Sequence, residues 1–325
     1  MPALSSARLA VFGPLTYDLT HLIHDRPENP MRPLLLFLPL LLTLTGCGAK
    51  KDAPTVLPPL GSARTLEPGV QEYEVALPRG DGTSRLWIYL PTGAASAKVP
   101  CLFVGPAGSH MFDGNGLGEG DRAEHLPYVR AGYAVVAYEV DGELPENAND
   151  QQTVDAAVAF KDAHAGLSNA RAAVDYALAR VPGIDPSRLY AAGHSSAGSL
   201  ALLVAEYDPR ITACIAYAPC CNVPKRLGEQ TLSVLDNAID GERDFLTRSS
   251  PNTHPEKVRC PLFLFHADDD SNLPTLDVDA FAAQVQQTNS AVTYVKVPTG
   301  NHYQSMIDEG VPRAITWLGT LPAKG

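Results

Sequence analysis

The sequence carries no run of Lys and Arg longer than two residues, which argues against a nucleic-acid partner, since such a partner needs a basic stripe to meet its phosphates. It has no C-x-x-C pair. Its one close pair, Cys220-Cys221, is vicinal and lacks the spacing of a redox or zinc motif, so no metal is expected. No internal repeat and no low-complexity tract is present. No apolar run approaches the roughly 20 residues of a membrane-spanning helix. The most apolar stretch, Leu34–Leu44, is far too short to cross a bilayer as a stable helix.

What is present is an ordinary globular composition. The 325 residues are 45% hydrophobic and 19% charged, enough for one large core or two small ones. The formal net charge of −11 gives an acidic surface, which mainly serves solubility.

The N-terminal region reads as a targeting segment rather than as part of the fold. Arg32 precedes the apolar run, and Leu44-Thr45-Gly46-Cys47 follows it, the layout of a signal peptide. The four residues resemble the bacterial lipobox, which implies that Cys47 is lipidated and becomes the first mature residue. Residues 31–46 are then the signal peptide. With Gly48 and no Asp after Cys47, the resemblance implies an outer-membrane lipoprotein in a Gram-negative cell. Residues 1–30 carry no signal of their own and precede a good start at Met31, so they read as a start called too early or as a disordered leader. Residues 47–70, rich in Pro, Gly and Ala, read as a tether. With Cys47 acylated, Cys101, Cys214, Cys220, Cys221 and Cys260 remain, an odd number that leaves at least one thiol unpaired. Cys101, Cys214 and Cys260 lie in apolar strand-like runs, where a small buried hydrophobe is the expected role.

From residue 71 to 325 strands and helices alternate. Strands are expected at 73–78, 85–91, 99–106, 133–140, 188–194, 211–219, 261–268 and 291–298. Helical periodicity covers 121–131, 151–181, the stretch from Ser196, 275–289 and the stretch from about 304. This pattern predicts an α/β fold: a doubly wound, mostly parallel sheet with helices on both faces. Ligands bind such sheets at the carboxyl ends of the strands.

Gly193-His194-Ser195-Ser196-Ala197-Gly198 stands at one such end, between an apolar strand and an Ala/Leu helix. A serine on a sharp strand-to-helix turn needs small residues two before and two after it, because the two backbones nearly touch. Gly193 and Ala197 satisfy this for Ser195, whereas His194 fails it for Ser196. Ser195 is therefore the candidate nucleophile, and Ser196, opening the helix, offers a backbone N–H to a developing oxyanion. A serine hydroxyl needs a general base, and the base needs an orienting acid. In this architecture the chain order is Ser, acid, His. His302 is the histidine after the last strand, and Asp270 is the best acid. Asp268 and Asp269 beside it leave the acid ambiguous, and the three together also have the look of a solvated turn or a weak Ca²⁺ site. His194 and His266 read as core histidines, and His110 as a residue able to face the pocket.

Together, "YAAGHSSAG", "SPNTHPEKVRCPLFLFHADDDSNLP" and "GNHYQSM" resemble the α/β-hydrolase superfamily. They are most similar to prolyl oligopeptidase catalytic domains and their dienelactone-hydrolase-like relatives. The stretch after the acid-bearing strand there commonly reads H-G-x-x-D-x-x-V-P. Laid on His266 to Pro274, that register implies Asp270 as the acid. The resemblance covers roughly 71–325 and implies a serine hydrolase, peptidase or esterase, needing no cofactor. Two departures stand out: 325 residues leave no room for the β-propeller of prolyl oligopeptidases, and the oxyanion loop differs. A His-Gly-x pattern laid on Val104-Gly105-Pro106 would make the donor Pro106, which has no N–H. Phe103 stands where some members have a Tyr hydroxyl. Ala107 and Gly108 remain, and Ala107 is preferred.

The expected activity is hydrolysis of a small ester or peptide-like substrate by an exported, lipid-anchored enzyme. The alternatives are an acyltransferase with the same triad and a non-catalytic binding lipoprotein on a hydrolase scaffold. The segment 220–258 reads as a lid over the acyl pocket or as a surface excursion. Glu139, Asp141, Glu143 and Glu146 would make the mouth acidic or form a solvated loop.

Overall fold

The computed structural model describes residues 56–79 and 82–322. The leader at 1–30, the signal segment at 31–46 and Cys47 lie outside the described residues.

The fold is built on a nine-stranded sheet. Three strands, β1 (Arg64–Glu67), β2 (Val70–Arg79) and β3 (Gly82–Pro91), form an antiparallel meander. The parallel part comprises β4 (Val99–Val104), β5 (Ala134–Tyr138), β6 (Ile184–His194), β7 (Ala213–Tyr217), β8 (Leu262–Ala267) and β9 (Val292–Val297). Across the sheet the order is β1-β2-β3-β5-β4-β6-β7-β8-β9, with β3 antiparallel to β5. The doubly wound α/β fold expected from the alternation is thus the fold observed.

The chain winds from β4 out to β5 and then back past β4 to β6. The order reverses there, so the loop after β4 and the turn after β6 leave the sheet side by side. A crevice at a reversal point is where such sheets hold ligands. Strands buried on both faces read as continuous apolar runs, as β5 and β8 do. On one face, Val136 and Tyr138 of β5 join α3 (Leu167–Arg180), α4 (Ser196–Tyr207) and α7 (Thr275–Gln286) in a core. On the other, Val135 and Ala137 meet α1 (Arg122–Arg130) and α8 (Val311–Leu318).

Two expectations need correction. Residues 64–70 were assigned to the tether, yet Arg64–Glu67 pairs with β2 as the edge strand, and the Arg64 and Arg122 guanidiniums both meet the buried Glu72 carboxylate. The single helix at 151–181 is two, α2 (Asp150–Asp162) and α3, because His164, Ala165 and Gly166 all take positive φ and reverse the chain. A Cβ on Gly166 would lie 2.9 Å from the Leu200 side chain. The last helix begins at 304 as expected, and it carries a π-helical turn at Met306–Gly310 before α8. The 220–258 segment folds as α5 (Val223–Ala238), kinked at Gly228, and α6 (Glu242–Arg248). Among the described cysteines there is no disulfide. Cys220 and Cys221 are buried, and burial pushes the Cys220 thiol up to about 12.

Three buried histidines couple the fold to pH, His266 of β8 among them. His125 of α1 and His194 of β6 are each at most 3% exposed, and burial lowers both from 6.5 to about 3. A histidine with a depressed folded pKa contributes stability above its unfolded pKa and loses it as pH falls. The unfolded chain then binds a proton that the folded chain refuses. We expect the melting temperature to fall as pH drops from 6.5 toward 4, and the slope to be shallower in His125→Leu. An unchanged slope in that variant would contradict the assignment.

Candidate active site

Ser195 sits between β6 and α4 with φ 57° and ψ −121°, a strained conformation for a non-glycine residue. Its N–H is bonded to the Tyr217 carbonyl at 2.9 Å, which ties the turn to the end of β7. The small-residue requirement read from the sequence has a direct geometric cause. A Cβ on Gly193 would lie 2.2 Å from the Ala197 carbonyl oxygen and 2.9 Å from the Ala197 Cβ. Ser199 secures the first turn of α4, donating to the carbonyls of Ser195 at 3.2 Å and Cys220 at 2.8 Å.

Asp270 and His302 meet on adjacent loops, after β8 and β9. The Nδ1–H of His302 donates to Oδ2 of Asp270 at 2.7 Å. The other oxygen of Asp270 accepts the N–H groups of Asn272 and Leu273 at 2.8 and 2.9 Å, and its side chain is fully buried. Burial pushes this carboxyl up, but the His302 hydrogen bond and charge, with the two backbone donors, outweigh burial and hold it below its usual value. The three acids divide their work. Asp268 pairs with Lys296, and Asp269 accepts the N–H groups of Gly300 and Asn301, which binds the His302 loop to the acid loop. Among the described residues no group of three or more His, Cys, Asp or Glu side chains forms a metal site.

His302 also lies against the elbow. The Nε2–H of His194, the residue before Ser195, donates to the His302 carbonyl at 3.0 Å, and the two rings are 4.5 Å apart. The Nε2 of His302 is buried without a hydrogen-bond partner, so the link to the Ser195 hydroxyl is not closed in this structure. Of the three predicted side chains, the structure bonds Asp270 to His302 and brings Ser195 beside them without that last bond.

The loop after β4 lies across the N-terminus of α4, and the N–H of Ser109 donates to Ser196 Oγ at 3.2 Å. The N–H groups of His110 and Met111 are also consumed, by Asp113 Oδ1 and Ser109 Oγ. Neither Ala107 nor Gly108 uses its N–H in a hydrogen bond among the described residues. Asn115 fixes this stretch by donating from Nδ2 to the Ala107 carbonyl at 2.6 Å.

The sequence reading missed several supports. His110, flagged only as able to face the pocket, bonds through Nδ1 to the buried Asp113 at 2.7 Å, and this bond raises its pKa against the opposing effect of burial. Asn301, at φ 54°, accepts from Ser271 and from the N–H of His302 and so stitches the two loops together. A polar residue with short-range hydrogen-bonding capacity beside a Gly was the available signal, since Asn tolerates this conformation. Glu139 and Asp141 are paired with Arg85 and Arg79, so they brace the loop after β5.

A strained serine on a strand–helix elbow, a histidine–carboxylate pair at the rim and helices on both faces of a parallel sheet define an α/β hydrolase. Residues 123–317 match the model of the prolyl oligopeptidase family, and the chain belongs to that family of hydrolases. Solved structures with the same fold include the acylaminoacyl peptidase of Pyrococcus horikoshii (15% identity, TM-score 0.63). That match covers 80% of this chain and 43% of the peptidase, so the chain spans about two fifths of its length. The acetyl xylan esterase of Paenibacillus sp. R4 matches at 17% identity and a TM-score of 0.58, over 79% of this chain and 87% of the esterase. A Klebsiella pneumoniae protein described as a dienelactone hydrolase matches at 17% identity and a TM-score of 0.56, over 78% and 99%. No curated protein matches the chain.

The close approach at the elbow is open to test. Gly193→Ala should cost on the order of 3 kcal/mol, as overpacking against main chain does, and should lower activity with it. Ala197→Gly should cost only about 1 kcal/mol, the helix penalty of glycine. Urea unfolding of both variants measures the contrast, and equal losses would refute the steric account.

Proposed function

We propose that the protein is a serine hydrolase that cleaves a short-chain carboxylic ester, or a short peptide-like amide, through an acyl-enzyme. The observation that carries this reading is the 2.7 Å contact between His302 Nδ1 and buried Asp270, beside a strained Ser195. In this reading Ser195 Oγ attacks the carbonyl carbon, and His302 Nε2 takes its proton and returns it to the leaving group. Asp270 holds Nδ1–H, which leaves the Nε2 lone pair as the base. The N–H groups of Ser196 and Ala107 receive the oxyanion. Water, deprotonated by His302, then attacks the acyl-enzyme and releases the acid. Catalytic hydrogen bonds often close only with substrate present, and the unpartnered Nε2 of His302 is the atom that requires closure. This chemistry needs no cofactor.

A small cavity of about 30 Å³ lies beside the turn, lined by the residues that follow Ser195 and not by Ser195 or His302 themselves, and supports a small acyl group in this reading. Ser196 and Ala197 line it from α4, Pro106 and Met111 from the loop after β4, and Val223 from the start of α5. The 220–258 segment therefore contributes to its wall. The same loop also borders a more open, polar cleft of about 480 Å³, lined by His110, Asn115 and Glu146.

Ser195→Ala should abolish hydrolysis of p-nitrophenyl acetate. In the unaltered enzyme kcat/KM should fall roughly tenfold or more from acetate to octanoate esters, as methylenes outgrow the cavity. A rate that rises with chain length would remove the short-acyl reading, and activity retained in Ser195→Ala would remove the nucleophile.

The lipobox-like Leu44-Thr45-Gly46-Cys47 supports an exported protein held on a bacterial membrane, the outer one in a Gram-negative cell, by lipid on Cys47. Cys47→Ser should move the protein from the membrane fraction to the soluble fraction of the cell that makes it. Persistence of the variant in membranes would contradict the anchor.

A further inference from the structure

We infer that His194 is a positioning residue for the general base, locking the His302 loop to the nucleophile elbow through a single side-chain hydrogen bond. The inference rests on the reading of His302 as the base for Ser195.

His302 follows β9, which lies at one edge of the sheet, whereas Ser195 follows β6, with β7 and β8 between them. The His302 loop has several ties, but they run to the acid loop. Asp269 holds the N–H groups of Gly300 and Asn301, Asn301 holds Ser271, and Asp270 holds the imidazole. These contacts fix His302 to β8 and leave its distance to Ser195 undetermined. Among the hydrogen bonds of the described residues, the bond from His194 Nε2 to the His302 carbonyl, at 3.0 Å, is the one that joins this loop to the elbow. Since His194 is the last residue of β6 and adjoins Ser195, the residue preceding the nucleophile holds the main chain of the residue that activates it.

The surroundings of His194 permit one hydrogen-bonding state. Its acceptor is a carbonyl, so Nε2 must carry the proton. Its Nδ1 is buried without a hydrogen-bond partner, 3.8 Å from Glu124 Oε1. The ring is 97% buried, packed at 4.5 Å against the His302 ring and at 5.6 Å edge-on to Tyr303. Burial first, and then the nearby His302, depress its pKa to about 3, so it remains a neutral donor at every pH where the base works. His266 repeats the device on the acid loop: fully buried, it donates from Nε2 to the Leu273 carbonyl at 3.1 Å, and its Nδ1 has no partner.

Three substitutions separate a positioned donor from a packed ring. His194→Leu keeps the bulk and removes the donor. His194→Asn keeps an amide that sits too close to the main chain to reach the carbonyl. His194→Gln carries an amide nitrogen to about the place of Nε2. The Leu and Asn variants should lower kcat on p-nitrophenyl acetate, and the rate at which a fluorophosphonate labels Ser195, by roughly tenfold to a hundredfold, with KM little changed. That is the effect of misplacing a catalytic group by about 1 Å. The Gln variant should recover most of both rates. The far-downfield proton resonance of the His302–Asp270 bond should broaden in Leu and Asn and return in Gln.

Wild-type labelling rates in the Asn variant, or a Gln variant that melts normally yet is as slow as Asn, would overturn the inference. The Asn–Gln contrast decides the matter even if Leu fails to fold. An unaltered protein that does not label at Ser195 would instead overturn the proposed function, and the proton resonance would still report whether His194 holds the imidazole.

Discussion

The near-contact of two backbones at the nucleophile elbow is the constraint on which the rest of the site depends. Strand β6 runs into α4 with no loop between them, so Gly193 lies against the Ala197 carbonyl and Ser195 is forced to positive φ. Such strain persists only where the surroundings over-determine it. Here they include the Ser195 N–H bond to β7, the Ser199 bonds in the first turn of α4 and the Ser109 N–H bond to Ser196 Oγ. The reversal of strand order between β5 and β6 places the loop after β4 close enough to make the last of these.

A chain of buried or half-buried polar groups runs outward from that turn. His194, His302, Asp270 and His266 form a chain at the carboxyl ends of β6, β9 and β8, with Asp270 between His302 at 2.7 Å and His266 at 3.6 Å. The arrangement avoids the cost of burying unpaired charge. The Asp270 carboxylate is compensated by His302 and by two backbone donors. His194 and His266, pushed toward neutrality by burial, act only as donors to carbonyls. Glu124, beneath His194, is raised to about 8 by burial and by Asp121, which favours its neutral form beside the cluster.

Membership in the prolyl oligopeptidase family and the α/β-hydrolase fold define the chemistry only as hydrolysis. The differences within the site concern what is hydrolysed. Pro106 has no N–H to offer, the amides of Ala107 and Gly108 after it are unused among the described residues, and the same loop borders both a small, mostly apolar cavity and a broad polar cleft.

The sequence by itself determined the alternation of strands and helices, the sharp strand-to-helix turn at Ser195 rather than Ser196, and the pairing of Asp270 with His302 downstream of it. These rest on local periodicity and on steric limits two residues away, which a linear reading contains. It misjudged the edge strand at Arg64–Glu67 and the break between α2 and α3. A Pro- and Gly-rich lead-in looks like a tether until β2 is there to pair with it, and helical periodicity continues through a turn whose Gly166 is closed in by Leu200 and Val140, residues distant in the chain. Tertiary structure alone decided the separate tasks of Asp268, Asp269 and Asp270, the partnership of His110 with Asp113, and the grip of His194 on His302. Each depends on distances between loops that no spacing along the chain encodes, because those distances follow from strand order and from how the helices seat the sheet.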